Sequence, residues 1–223
     1  MGLDLVPMGK PKKGFEKRFN QIFRVIEGKE TLELSFLDKL KGKKLPSKEE
    51  LLEEWFANQI SVYETLKAPQ VGRDKEAEDW IKVKYQDSNK ELSESDFIKK
   101  HKGYYILELA KEIDGLPIYI AYGQEEHVFR GEFLTTCIGL IDESLVHEAW
   151  ETKLAEEALD YGNRLMNTAD NIAKENNLEY LKNQRAPSDS EENDIAGKLH
   201  IVYSLARWLT FYGKNGHGYQ ADY

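Results

Sequence analysis

The chain has 223 residues, 40% of them hydrophobic and 32% charged, with a formal net charge of −9 at pH 7. That apolar share, with 11% aromatics, excludes a disordered chain. A chain this long buries on the order of 70% of its unfolded surface, so its core needs neither disulfides nor a structural metal, and the single Cys137 excludes an intramolecular disulfide and fits a reducing compartment.

The N-terminus opens on the apolar run Leu3–Val6, bounded by Pro7 and Pro11, and residues 1–13 read as an edge strand or an arm. No basic segment followed by an apolar core marks a secretory signal. Val6 stands where myristoylation wants Ser or Thr. With no apolar stretch of ~18 residues either, a cytoplasmic protein with no membrane partner is expected. Residues 1–48 hold 12 Lys/Arg against 6 Asp/Glu, so the rest of the chain is more acidic than the total suggests. The overall acidity argues against a general nucleic-acid binder. Lys10, Lys12, Lys13, Lys17 and Arg18 read either as a patch for an acidic partner or as a solvated face complementing the acidic body.

Phe15, Phe19, Ile22, Phe23 and Ile26 share one helix face, and Gly28 can end that helix in the left-handed conformation. Residues 31–40 fit a strand and a helix equally. Ser47 and Glu50 form a capping box ahead of a stripe through Leu52, Trp55, Phe56, Ile60, Tyr63 and Leu66, which Pro69 ends. Shorter helices follow Asp74 and begin near Ser95. The runs Tyr104–Leu109 and Ile118–Tyr122 are rich in strand formers, with Asp114-Gly115 between them, which predicts an antiparallel hairpin. Phe129, Phe133, Cys137, Leu140 and Ile141 then fall at helical spacing. A long helix is expected over 143–176, with Gly162 in its middle implying a close neighbour or a kink. Residues 183–194 are a polar loop. Ile195 to Tyr212 forms a last amphipathic helix stopped by Gly213, and a glycine-rich turn follows. These elements predict one globular domain over 1–223. Its class is α+β and mainly α-helical, with amphipathic helices packed around a small hairpin sheet at about 104–122.

No phosphate loop, dinucleotide fingerprint, H-E-x-x-H, C-x-x-C or nucleophile elbow is present. Cys137 lies on an apolar face and reads as core. Glu143, His147 and Glu151 stand at i, i+4 and i+8, a spacing that suits a divalent metal, while the same stripe is equally a solvated helix face. The last helix adds His200 but no Glu-x-x-His motif. Tyr119, Tyr122, His127, Arg130 and His217 are the candidate pocket residues; tyrosines of this kind also make up core margins. His127 and Arg130 follow a strand end, where the free amides of a helix start favour an anion or simply a capped terminus.

The residues therefore support a non-catalytic binding or interaction protein, acting through an aromatic pocket or the basic N-terminal patch and needing no cofactor. The alternative is a metal-dependent hydrolase with Glu143, His147 and Glu151 as ligands and Glu148 as base. A homo-oligomeric structural protein is a third reading, since four Trp and twelve Tyr exceed what one small core needs.

Overall fold

A computed structural model describes residues 2–33, 41–88, 90–113, 116, 119–121, 124–184 and 194–223, with backbone alone at 119–121 and 124–126. The mainly helical α+β class expected from the sequence is what the chain adopts. Among the described residues no helix is long and apolar enough to cross a membrane. The chain divides into two compact units, Gly9–Ser61 and a larger one made of Met1–Met8 with Val62–Tyr223.

In the smaller unit, β2 (Lys10–Pro11) pairs antiparallel with β3 (Gln59–Ile60). Helices α1 (Glu16–Ile26) and α2 (Lys48–Ala57) pack together. Phe19 stacks on Trp55 with ring centroids 4.8 Å apart, and Arg18 grips Glu54 through two bonds of 2.9 and 2.7 Å. The capping box forms as expected: Glu50 N donates to Ser47 Oγ at 3.2 Å and Ser47 N to Glu50 Oε2 at 2.7 Å. Gly28, at φ 69°, ends α1 in the left-handed region. The expected stripe through Tyr63 is interrupted here, because α2 stops at Ala57 and β3 intervenes. Of the ambiguous 31–40 segment, residues 34–40 lie outside the described residues.

The larger unit is built on α7 (Ala155–Asn176) and α8 (Ile195–Lys214), which run against each other through their buried faces. A three-stranded antiparallel sheet of order β6-β1-β7 closes it, formed by Phe129–Arg130, Asp4–Pro7 and Tyr219–Asp222. Leu3–Val6 therefore supplies the central strand instead of an edge: Leu5 is fully buried and faces Phe129 on one side and Ala221 on the other. Short helices α3 (Val62–Leu66), α4 (Lys75–Gln86) and α5 (Glu94–Lys100) precede the sheet's later strands.

Several expected elements change. The hairpin expected over 104–122 does not form there: Leu107–Leu109 and Lys111–Ile113 are 3₁₀ turns, and Tyr105 makes a single bridge to Gln70. Ile106 and Leu107 are adjacent yet both buried, one among Val71, Ala77 and Ile81 and the other in the main core. A strand sends neighbours to opposite faces; here both faces are covered by separate clusters and the backbone turns between them. The hairpin is instead β4 (Tyr119–Ala121) with β5 (Gln124–Glu126); Asp114-Gly115 lies outside the described residues. Residues 129–141 give β6 and a 3₁₀ stretch Gly131–Cys137 where a helix was expected.

The expected helix over 143–176 is broken. It consists of α6 (Glu143–His147), a 3₁₀ turn Glu148–Trp150 and α7. Between them Lys153 exchanges backbone bonds with Tyr219, at 3.0 and 2.9 Å, which draws the chain out of the helix. Gly213 does not stop α8 but lies inside it, where a Cβ would meet Leu159 Cβ at 2.7 Å. Most of the polar 183–194 stretch, residues 185–193, lies outside the described residues.

Candidate functional site

The helix breaks after His147, so Glu151 no longer stands on the helix that carries Glu143 and His147. His147 Nε2 meets Glu143 Oε1 at 3.2 Å, with both side chains about two-thirds exposed at 65% and 69%. Glu151 has left the helix and its Oε2 pairs with Lys153 Nζ at 3.0 Å. Glu148, the candidate base, is held by Arg164 and Lys153. Among the described residues no group of three or more His, Cys, Asp or Glu side chains could hold a metal ion.

Of the expected pocket residues, His127 and His217 are buried and Arg130 is exposed. His127, at 3% exposure, hydrogen-bonds the Tyr212 hydroxyl through Nδ1. His217 is fully buried, with Nδ1 on Met8 O and Nε2 on Thr65 Oγ1, both at 2.8 Å. Tyr212 packs against both imidazoles and against Trp208, whose ring lies 4.7 Å away. The reason lies in α8: Leu205, Trp208, Leu209 and Tyr212 are all buried, so the two imidazoles expected to line a pocket sit against core. Arg130 is on the surface, 3.5 Å from Asp4 and 3.8 Å from Glu132, so its charge is used across the sheet. Tyr122 and the Tyr119 side chain lie outside what is described. In the basic patch, Arg18 is engaged with Glu54, and Lys12 Nζ donates to Ala57 O at 2.7 Å. Lys13 and Lys17 are exposed, and Lys10 sits in β2. Cys137 is buried and its thiol is pushed up to about 11 by burial, which fits core and not a nucleophile.

An open cleft of about 700 Å³ lies elsewhere in the larger unit. Two stretches 35 residues apart build it. Ile106 N donates to Pro69 O at 2.8 Å and Val71 N to Tyr104 O at 2.9 Å, so residues 69–71 and 104–106 run antiparallel. That pairing sets Tyr105 against Tyr63 of α3, ring on ring, with centroids 4.4 Å apart and planes 2° from parallel. The Arg73 guanidinium lies over Tyr105 at 5.9 Å from its centroid. Asp74 stands at the N-cap of α4, but its side chain makes no capping bond there. Its Oδ2 accepts from Gln70 N at 2.7 Å and Arg73 Nε at 3.0 Å, and the Gln70 amide, followed by Arg73, holds the carboxyl below its usual range.

The rim balances charge. Lys67, Arg73 and Lys75 stand among Glu64, Asp74 and Glu76, with Ala68 and Pro69 as apolar wall. Lys67 also reaches Glu112 at 2.9 Å. Sequence reasoning missed this site because Tyr63 belongs to one helix stripe and Tyr105 to an expected strand. The nearest local signals were the turn glycines Gly72 and Gly103, at φ 86° and 93°, which flank the paired segments. Compared with protein-family models, curated proteins and solved structures, the chain matches none, so the cleft is read from its own residues.

Proposed function

We propose that this is a non-catalytic interaction protein whose 63–76/105 cleft takes an extended peptide segment of a partner protein. The parallel Tyr63–Tyr105 pair at the cleft carries this reading. Two stacked tyrosines offer rigid, half-apolar area at low entropic cost, the kind of anchor on which a partner's aromatic, aliphatic or proline side chain gains most. The cleft is open, whereas a small-molecule site normally encloses most of its ligand. Its rim of three cations and three anions suits a segment carrying both signs of charge.

A random peptide library displayed on phage and panned against the full chain tests the reading. Enriched peptides, resynthesised with a fluorophore, should bind the wild type and lose about tenfold or more in affinity to Tyr63→Ala/Tyr105→Ala, the scale of a hot-spot truncation. No enrichment, or peptides that bind the double variant as well as the wild type, would overturn it.

A further inference from the structure

α8 buries one polar stripe on an otherwise apolar inner face. His200, Ser204 and Arg207 stand at i, i+4 and i+7. His200 and Ser204 are each 7% exposed, and Arg207 is half-buried. Both long side chains meet at the serine: Arg207 Nη2 donates to Ser204 Oγ at 3.3 Å, and His200 Nε2 lies 3.4 Å from the same oxygen. With Oγ accepting from the guanidinium and giving its own proton to Nε2, the imidazole proton sits on Nδ1.

Two donors are then left over. Among the described residues, His200 Nδ1 and Arg207 Nε are both buried and neither has a hydrogen-bond partner. Nη1 of Arg207 is used by the carbonyls of Lys182 and Gln184, at 3.2 and 3.0 Å. Among the described residues no carboxylate pairs with this guanidinium. The setting lowers both groups' pKa values from the ordinary, Arg207 by burial and His200 by burial and then the Arg207 charge, which leaves the imidazole neutral at pH 7. Buried polar groups are nearly always satisfied, and a buried cation without a counter-charge is costlier still. The free Nε–H lies beside a second Nη2–H on one straight edge of the guanidinium, the edge that takes two oxygens of a carboxylate or phosphate.

We propose that the His200–Ser204–Arg207 stripe is a binding site for an oxyanion group, a carboxylate or a phosphate, whose oxygens accept from Arg207 Nε and His200 Nδ1. The proposal uses none of the cleft residues and stands or falls apart from the peptide reading.

Nuclear magnetic resonance on the full chain, in a buffer free of both ions, tests it. Inorganic phosphate and acetate are titrated separately, with chloride matched for ionic strength. The His200 Cε1–H and Arg207 Nε–H signals should move saturably with at least one oxyanion, and the tighter of the two identifies the class. Arg207→Lys keeps the charge but loses the planar edge, and should weaken binding about tenfold. Ser204→Ala removes only the hydroxyl that orients both partners, and should weaken it about threefold; it decides the matter if circular dichroism shows the lysine variant unfolded. No saturable shift beyond that given by chloride, or unchanged affinity in a folded variant, would overturn the proposal.

Discussion

Lys153 keeps only 9% of its side chain exposed, between Glu148 Oε1 and Glu151 Oε2, each 3.0 Å from its Nζ. Glu148, itself 20% exposed, also receives Arg164 Nη1 at 2.8 Å and Nη2 at 2.5 Å. Burial alone would raise the Glu148 pKa, but hydrogen bonds from Arg164 and Lys153 outweigh it and hold the carboxyl below the usual range. Burial pushes the Tyr161 and Tyr219 hydroxyls up beside it, so neither ionises near neutral pH. A carboxyl depressed on folding contributes stability that is complete above the unfolded value, about 4.3 for glutamate, and lost as pH falls through the folded one. Glu148→Gln should therefore cost on the order of 2 kcal/mol at pH 7, since it removes the carboxylate that Arg164 and the buried Lys153 share and leaves Lys153 with Glu151 alone. The deficit should shrink steadily below about pH 4.3. Urea midpoints across pH 3–7 check this, and a constant deficit would refute the linkage. The sequence showed Glu148 as a candidate base and Glu151 as a candidate metal ligand because their cationic partners are either close in sequence but turned by the helix break, as Lys153 is, or a full segment away, as Arg164 is.

At the scale of elements, the α7–α8 contact depends on two glycines that face the opposite helix. A Cβ on Gly162 would lie 2.8 Å from Leu209 Cβ and 3.0 Å from the Thr210 backbone N. One on Gly213 would approach Ala155 O to 2.9 Å. Gly162→Ala gains about 1 kcal/mol in helix propensity but forces an overpacked contact costing about 1–3 kcal/mol. The net effect should be destabilisation of about 1 kcal/mol, whereas an exposed helical glycine would be stabilised by the same change. A raised urea midpoint in Gly162→Ala would show that the helices can move apart freely. Gly162 announced this neighbour in the sequence, as a glycine amid an unbroken helical stripe; Gly213 did not, because a glycine near a helix end looks like a terminator. α1 and α2 were legible through strong local signals, an apolar face and a capping box. The breaks at residues 58–61 and 148–154 were not, because each is made by pairing with a distant strand and not by a local breaker.

Across the whole molecule, charge follows the division into units. Gly9–Ser61 holds 12 Lys/Arg against 9 Asp/Glu, leaving 19 against 31 for the remainder, so the basic character of the N-terminal region belongs to a folded unit instead of a free arm. The expectation of one domain is tested by Leu5→Ala, which empties a fully buried site of the central strand and should cost about 3 kcal/mol. Hydrogen exchange should then quicken in α7 and α8 while the amides of α1 and α2 keep their protection. Equal loss in both would mean the two units unfold as one. The small sheet was the least legible part of the fold: β7 has four residues and β6 two, and their register with β1 spans most of the chain. The cleft was hidden for the same reason, since its two tyrosines are brought together by pairing between residues 69–71 and 104–106.

The central position of β1 also sets an order of events as the chain leaves the ribosome. The contacts of Gly9–Ser61 lie within one short stretch and can form early. Leu3 and Leu5 must wait for Phe129 and then for Tyr219–Asp222. Contacts of such sequence separation are slow to close. Until Phe129 and Tyr219–Asp222 have been made, β1 is an apolar strand with both edges open. An apolar strand in that state is a target for a chaperone and a place where misassembly between nascent copies can start.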